Sequence, residues 1–155
     1  MSMMTKVKYL LLAHPLYNLR IQSLKEQLKK LKVSLPPEVY KQHEIVKMAS
    51  RLYKATFDII PEDPSCPEYF LKGQLKKFRQ YKQGLKRYRL FFTFSQSPPI
   101  IIYLYINDEK HLRKEGSKND PYEQFLKLVN SGVITHETQD PKMQKMLHEL
   151  ISPSS

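Results

Sequence analysis

The sequence predicts an α+β domain in which a helical hairpin packs on one face of an antiparallel sheet. Two observations support this prediction. Apolar residues recur every three or four positions through residues 17–60, the period of a helix, and every second position through residues 87–95, the period of a strand. The chain has 155 residues, 41% of them hydrophobic, which suffices for one domain with its own core. We expect that domain over residues 1–151 and a frayed tail over residues 152–155.

The N-terminal part predicts a short buried strand followed by two helices. The dipeptide His14-Pro15 ends the strand Tyr9–Ala13, and proline is favoured in the first turn of a helix. The first helix presents one apolar face, made of Tyr17, Ile21, Leu24, Leu28 and Leu31. After a proline turn, a second apolar stripe over residues 39–60 predicts a second helix. Two helices joined by a short turn are typical of an antiparallel hairpin.

The middle of the chain predicts a meander of three strands. Lys77–Lys82 is followed by Arg87–Ser95, in which apolar side chains alternate between two faces. Ile100–Asn107 is apolar on both faces, as a central strand is. Tyr103 and Tyr105, two positions apart, are expected on one face of this strand. There they either stack on nucleic-acid bases or fill the space beneath a helix.

The C-terminal third predicts more helix. Residues 108–118 form a loop or a short helix, and Pro121–Asn130 has apolar side chains at helical spacing. Gly132 is expected to end that helix. Residues 141–151 predict an amphipathic last helix.

Composition excludes several classes of protein. The 26 Lys and Arg residues outnumber the 15 Asp and Glu residues, a formal net charge of +11. No apolar run approaches the roughly 18 residues of a membrane span, so we expect no membrane association. The single cysteine, Cys66, excludes an internal disulfide and a thiolate zinc cluster and fits a reducing cytoplasm. Four glycines form no phosphate-binding loop and five histidines show no ligand spacing, so we expect neither a metal nor another cofactor.

The positive charge is concentrated in residues 72–89, which contain eight basic residues and no acid. These are Lys72, Lys76, Lys77, Arg79, Lys82, Lys86, Arg87 and Arg89. A cluster without counter-charge repels itself unless an anion binds there, and nucleic-acid phosphate is the simplest such anion. The alternative is a solvated face kept for solubility, which better suits the lysines of residues 20–54 on the predicted helices.

Arginines and a lysine on one open face of the predicted sheet suggest chemistry on phosphate. Lys82 and Arg89 fall on adjacent strands, and Arg113 follows the third strand. A guanidinium grips two phosphate oxygens at once, which an ammonium cannot do. Such a set suits metal-free RNA cleavage, in which the ribose 2′-hydroxyl attacks the neighbouring phosphate and arginines stabilise the added negative charge. The alternative is that these arginines only bind nucleic-acid backbone or an acidic partner.

Four motifs occur in order along the chain. The first two are AHP at Ala13–Pro15 and RYRLFF at Arg87–Phe92. The third is NDE followed by LR and a glycine, over residues 107–116, and the fourth is the spaced pattern K.D.Y..F over residues 118–125. Together they resemble the YhaV-type toxins of the RelE/ParE-like superfamily of toxin–antitoxin ribonucleases. The resemblance implies a RelE/ParE-like fold and a metal-independent toxin that cleaves mRNA, free or on the ribosome, in the bacterial cytoplasm. It also implies two partners: an AbrB-like antitoxin of the PrlF type, and operator DNA bound through the antitoxin complex.

The resemblance further implies roles for individual residues. Arg89 corresponds to the phosphate-stabilising arginine, Lys82 to a lysine acting in proton transfer or charge stabilisation, and Arg113 to a second arginine. Tyr122 corresponds to a tyrosine that acts as acid, base or stacking platform. The residues expected to bind RNA are Lys76, Lys77, Arg79, Lys86, Arg87 and Lys118. The residues that match the family pattern and are expected to support the site are His14, Asn107 and Asp108.

One position departs from the pattern that the resemblance implies. Two positions before Lys82, where a basic residue is expected, this chain has Gln80, with Arg79 beside it. Neighbours on a strand point to opposite faces, so Arg79 replaces that charge only if a bulge shifts the register. An alternative function is therefore a weakened toxin that serves as an antitoxin-bound, DNA-binding co-repressor. A ParE-like topoisomerase inhibitor is a further alternative.

Overall fold

The computed structural model describes residues 7–108 and 120–152. Its helices are α1 (Pro15–Ser34), α2 (Pro37–Gln42), α3 (Glu44–Lys54), α4 (Pro121–Asn130) and α5 (Pro141–Gln144). Its strands are β1 (Leu10–Ala13), β2 (Arg79–Tyr81), β3 (Leu90–Gln96), β4 (Pro99–Ile106) and β5 (His148–Glu149). Short π and 3-10 turns at Ala55–Ile59, Ile60–Glu62, Pro67–Tyr69 and Gly73–Leu75 connect α3 with β2. None of the helices in the described ranges is both long and apolar enough to cross a membrane.

The five strands form one sheet in the order β2-β3-β4-β1-β5. Strands β2, β3 and β4 make the predicted antiparallel meander. However, β1 pairs parallel with β4, Leu10 lying opposite Ile100 and Ala13 opposite Tyr103. The α+β class is therefore confirmed, whereas the expectation of a wholly antiparallel sheet is wrong. The long helical segment after β1 carries the chain away and back, so that the two strands can run in the same direction.

Helices cover both faces of the sheet, not one face as the sequence predicts. On the first face, Leu90 and Phe92 pack in one cluster with side chains of α1 and α3. On the second face, Phe91 packs with Phe125 of α4 and Met143 of α5. The physical reason is that β4 is apolar on both sides, so each side must be covered to remove it from water.

The predicted helical hairpin is present, but its second arm is interrupted. The Tyr17 hydroxyl, early in α1, lies 3.1 Å from Thr56 Oγ1, just after α3, so the two helices run antiparallel. The single helix expected over residues 39–60 is instead α2, α3 and the turns that follow. His43 lies at the break and caps α3, because its Nδ1 accepts a hydrogen bond of 3.1 Å from the backbone N–H of Ile45.

A bulge in β4 places Tyr103 and Tyr105 on opposite faces, which contradicts the expectation that they share one. Phe91 pairs with Tyr105 and Phe92 with Tyr103, so Leu104 is the extra residue. Tyr103 packs in the first-face cluster beneath α1, where it fills space. Tyr105 packs on the second face, stacked against Phe91.

The C-terminal segment is mostly not helical. The helix expected over residues 141–151 is confined to α5, and the chain then forms β5 antiparallel to β1, with Leu12 opposite Glu149. The N–H of Leu150 also donates to the carbonyl of Leu11, at 2.8 Å. Pairing at this edge satisfies backbone groups of β1 that a helix would leave unpaired.

Candidate functional site

The candidate site lies at one edge of the sheet, where β2 and β4 end and β3 begins. Tyr81 pairs with Leu90, which in turn pairs with Ile106. Lys82 follows β2, Asn107 follows β4 and Arg89 precedes β3, so all three lie just beyond this row of paired residues. The meander thus brings three of the predicted site residues to the same edge.

The guanidinium of Arg89 is held rigidly at this edge. Its Nη1 donates to the carbonyls of Lys86 and Tyr88, at 2.6 and 2.8 Å. Its Nε donates to the hydroxyl of Tyr122, at 3.2 Å. Among the described residues, none accepts a hydrogen bond from Nη2, so that both N–H groups of this nitrogen remain available to an anion.

Asn107 fixes the backbone from which Arg89 projects. The side chain of Asn107 is fully buried. Its Oδ1 accepts from the N–H of Arg89 at 2.7 Å, and its Nδ2 donates to the carbonyl of Arg87 at 3.2 Å. The end of β4 is thereby tied to the segment before β3. Asn107 therefore positions the backbone of Arg89, and its supporting role in a functional site stays a prediction.

Gln80 and Tyr122 extend this network toward α4. Gln80 is 7% exposed and pairs with Phe91, which places its side chain on the second face of the sheet. The hydroxyl of Tyr122 donates to Gln80 Oε1 in a short hydrogen bond and accepts from Arg89 Nε. The start of α4 positions the tyrosine, because Asp120 Oδ1 accepts from the Tyr122 N–H at 2.9 Å.

Arg79 does not replace the cation missing at position 80. The pairing of β2 with β3 is regular from Arg79 to Tyr81, without the bulge that would turn Arg79 toward Tyr122. Its guanidinium lies over the rings of Phe70 and Phe94, at 4.7 and 5.7 Å. Burial lowers the pKa of Arg79. Arg79 thus lies on the first face and is not brought to the candidate site.

The other predicted RNA-binding residues that the structure describes are exposed. Lys76 and Lys77 are exposed before β2, and the predicted catalytic residue Lys82 is exposed directly after it. Lys86 and Arg87 line a cleft of about 560 Å³ against α3, and the Lys86 ammonium pairs with Glu44 at 3.1 Å. Arg113 and Lys118 lie outside the described residues.

Arg20 is a residue at this edge that sequence reasoning missed. Its Nη2 donates to the backbone carbonyl of Asn107, at 3.4 Å. It also faces Tyr105: burial raises the pKa of Tyr105 to about 12, the Asp108 carboxylate raises it as well, and the Arg20 guanidinium lowers it. The sequence feature that could have identified it is its residue type. Arg20 is the arginine of a helix whose other basic residues are all lysines, and arginine is favoured where a planar group binds several acceptors.

His14 has a structural role. Its Nδ1 accepts from the N–H of Leu16 at 3.2 Å and caps α1, and its Nε2 lies 3.2 Å from the carbonyl of Val133. The backbone N–H of His14 donates to the carbonyl of Tyr103, at 2.9 Å. Burial lowers the pKa of His14, so the neutral ring is favoured. These contacts tie α1 to the segment after α4 and involve no member of the Arg89 network.

This arrangement is suited to binding an anion and to stabilising added negative charge. The Arg89 guanidinium is fixed before any ligand arrives, so little reorganisation is needed when charge develops. The hydroxyl of Tyr122 lies beside it, and the exposed Lys82 follows β2 at the same edge. Among residues 7–108 and 120–152, no carboxylate contacts Arg89 and no three His, Cys, Asp or Glu side chains are grouped to hold a metal ion.

Comparison with known proteins identifies relatives that match most of the chain. One family model, described as a toxin with endonuclease activity of a toxin–antitoxin system, matches residues 11–145. The ribonuclease toxin YhaV of Escherichia coli strain K12 is 31% identical over 142 residues, covering 84% of this chain and 92% of that protein. Toxins named YhaV from Escherichia coli O157:H7 and O6:H1 show the same identity and coverage. No solved structure matches significantly.

Proposed function

This chain belongs to the YhaV family of toxins with endonuclease activity, as its motifs predict, and we propose that it cleaves mRNA. In the proposed reaction a ribose 2′-hydroxyl attacks the adjacent phosphate without a metal ion. The observation that carries the proposal is the fixed Arg89 guanidinium with its available Nη2. A nuclease of this kind needs positive charge held where the phosphate gains charge in the transition state.

The reaction assigns a separate role to each residue of the network. Arg89 Nη2 binds the non-bridging oxygens of the phosphate. The 2′-hydroxyl loses its proton to water and bonds to phosphorus, the bond to the 5′ oxygen breaks, and that oxygen takes a proton from the Lys82 ammonium. The Tyr122 hydroxyl donates to Gln80 and accepts from Arg89 Nε, so its role in this proposal is to orient Arg89.

The proposal includes a RelE/ParE-like fold, supported by the antiparallel meander with its N-terminal helical hairpin. It also includes partners that the family implies. An antitoxin neutralises the toxin, and we propose one of the AbrB-like PrlF type that also links the toxin to operator DNA. The substrate is mRNA in the cytoplasm, free or on the ribosome, and its cleavage stops translation and growth.

The experiment that tests this function measures cleavage of an end-labelled RNA by the purified chain in excess EDTA. We expect products that end in a 2′,3′-cyclic phosphate. A matched RNA with one 2′-deoxyribose at the cleaved position should resist cleavage there, because it lacks the attacking hydroxyl. Cleavage that requires Mg²⁺, or that proceeds at the deoxy position, would overturn the proposal.

The buried Gln80 supports a second candidate, a weakened toxin that acts as an antitoxin-bound co-repressor. Gln80 is neutral at the position where the resemblance leads us to expect a basic residue. In this case, the chain with its antitoxin binds operator DNA but leaves mRNA intact. Gln80→Lys would then raise cleavage by restoring the cation, whereas in the first candidate it disturbs the bond to Tyr122 and lowers cleavage.

A further inference from the structure

A shallow groove of about 420 Å³ adjoins the Arg89 network on the second face of the sheet. It lies between the segment before β2 and the first turns of α4. Its apolar part is formed by Leu75 and Leu126, its charged part by Lys72 and Glu123, and one end by Tyr122. The groove therefore offers an apolar surface with both a cation and an anion at its border.

Tyr122 belongs to both the groove and the candidate site, which fixes their relative position. Its hydroxyl accepts from Arg89 Nε at 3.2 Å, while its side chain lines the groove. A phosphate on Arg89 Nη2 would thus have a neighbouring nucleoside beside Tyr122. In single-stranded RNA the bases are free to leave the stack and pack on aromatic and apolar side chains.

Glu123 is the unexpected member of this groove. A carboxylate repels RNA phosphate, yet Glu123 is exposed beside a segment that carries eight basic residues and no acid. Within the described ranges, no Lys or Arg forms an ion pair with it. An ionised carboxylate only accepts hydrogen bonds, so its complement on RNA is a base edge rich in N–H donors.

We propose that this groove binds the base next to the cleaved bond and that Glu123 recognises guanine there. The inference rests on the proposed ribonuclease function. Guanine presents the N1–H and the N2 amino group on one edge, which matches the two oxygens of a carboxylate. Adenine and cytosine offer a single amino group and uracil a single N–H, so they bind less well. The ammonium group of Lys72 pairs with the backbone phosphate of the same nucleotide.

A purely structural role for Glu123 leads to a different result. Glu123 lies in the first turn of α4, where a carboxylate stabilises the positive end of the helix dipole. If this were its whole contribution, Glu123→Gln would lower the thermal stability slightly and change cleavage of every RNA by the same factor.

The experiment compares kcat/KM for short RNAs that differ only in the base beside the cleaved bond, tested on each side in turn. The variable position holds guanosine, inosine or adenosine. Inosine is included because it lacks only the N2 amino group of guanosine. We expect guanosine to be preferred over inosine by about 10-fold or more in the parent chain. Glu123→Gln should reduce that ratio to near one, because the loss falls mainly on the guanosine RNA, whereas a purely structural role would lower cleavage of all three RNAs by the same factor.

Glu149→Gln is the matched control, since Glu149 is exposed on β5 at the opposite side of the sheet. It should leave the guanosine to inosine ratio unchanged. An unchanged ratio in Glu123→Gln, or cleavage by the parent chain without regard to base, overturns the inference and leaves the ribonuclease proposal standing. A parent chain that cleaves none of the RNAs overturns both.

Discussion

Two hydrogen-bonded tyrosine networks lie on opposite faces of the sheet and differ in what their partners are. On the first face, Tyr103 is fully buried and donates to the carbonyl of Thr56 at 2.6 Å, while Tyr17 lies 3.1 Å from the hydroxyl of the same threonine. On the second face, Tyr122 is half-buried and lies between Gln80 and Arg89. The first network ends on neutral groups, and the second ends on a cation.

This difference shows that exposure and partner, rather than residue type, distinguish a structural tyrosine from one at a functional site. Burial raises the pKa of Tyr17 to about 12 and that of Tyr103 well above its ordinary value, so neither loses a proton near neutral pH. Because its partners are neutral and buried, the first network holds α1 and α3 on the sheet. The second can present charge to a ligand.

The largest effect should come from breaking the charged end of the second network. Arg89→Gln removes the guanidinium that stabilises the transition state, and we expect RNA cleavage to fall by about 10²–10³-fold with the fold intact. Arg89→Lys should recover little, because one ammonium cannot bond two carbonyls, a phenol and a phosphate. The measurement is kcat/KM for RNA, with circular dichroism as the check on folding.

Arg79→Gln is the control for that prediction. Arg79 lies on the first face over Phe70 and Phe94, so its loss should leave most of the cleavage rate intact. If Arg79→Gln reduced cleavage as much as Arg89→Gln does, the assignment of chemistry to the second face would be wrong.

The sequence predicts this comparison only in part. Alternation along β3 correctly separates Leu90 and Phe92 from Phe91, because side chains on a strand alternate between faces whatever the tertiary context. The antiparallel meander is predicted as well, although the sequence places Lys82 and Arg89 on one open face and the structure places them at the edge where β2 ends and β3 begins. These features depend on local periodicity and local turns, which a single sequence contains.

The features that were not predicted depend on contacts distant in sequence. The bulge at Leu104 separates Tyr103 from Tyr105, and it depends on pairing with β3 rather than on residues of β4 alone. The two-residue strand β5 forms because the edge of β1 needs a partner. Helical periodicity assigned the face of α1 but not which of its residues meets the end of β4, so Arg20 was overlooked.

A smaller effect, on stability and not on rate, should follow from breaking the first network. Tyr103→Phe leaves the carbonyl of Thr56 buried without its donor, which should cost about 1–3 kcal/mol of unfolding free energy. Urea unfolding measures this loss, and cleavage per folded molecule should not change. Tyr53→Phe, at a position 41% exposed, is the control and should have almost no effect on either quantity. A loss of cleavage in folded Tyr103→Phe would contradict the separation of the two faces.

Removing the hydroxyl of Tyr122 should affect the cleavage rate and not the stability, and by a smaller factor than Arg89→Gln does. Tyr122→Phe keeps the ring against Phe91 but removes the acceptor for Arg89 Nε. We expect cleavage to fall by about 10-fold, because one bond to a charged group is lost while the carbonyls of Lys86 and Tyr88 still hold the guanidinium. The loss should appear in kcat and not in KM. A Tyr122→Phe chain as slow as Arg89→Gln would instead assign the phenol to proton transfer.

The smallest effect concerns the contribution of His14 to the pH dependence of stability. Burial lowers the pKa of His14 below its ordinary value of 6.5, so the unfolded chain binds a proton that the folded chain resists. His14 therefore stabilises the fold above pH 6.5, and this contribution is lost progressively as the pH falls through 6.5 toward the lowered pKa. Urea unfolding at pH 7.5 and at lower pH measures this loss. His14→Asn retains a cap for α1 without a titrating group, so its stability should change less over the same range. Equal acid sensitivity in His14→Asn and the parent chain would show that another group responds to the proton.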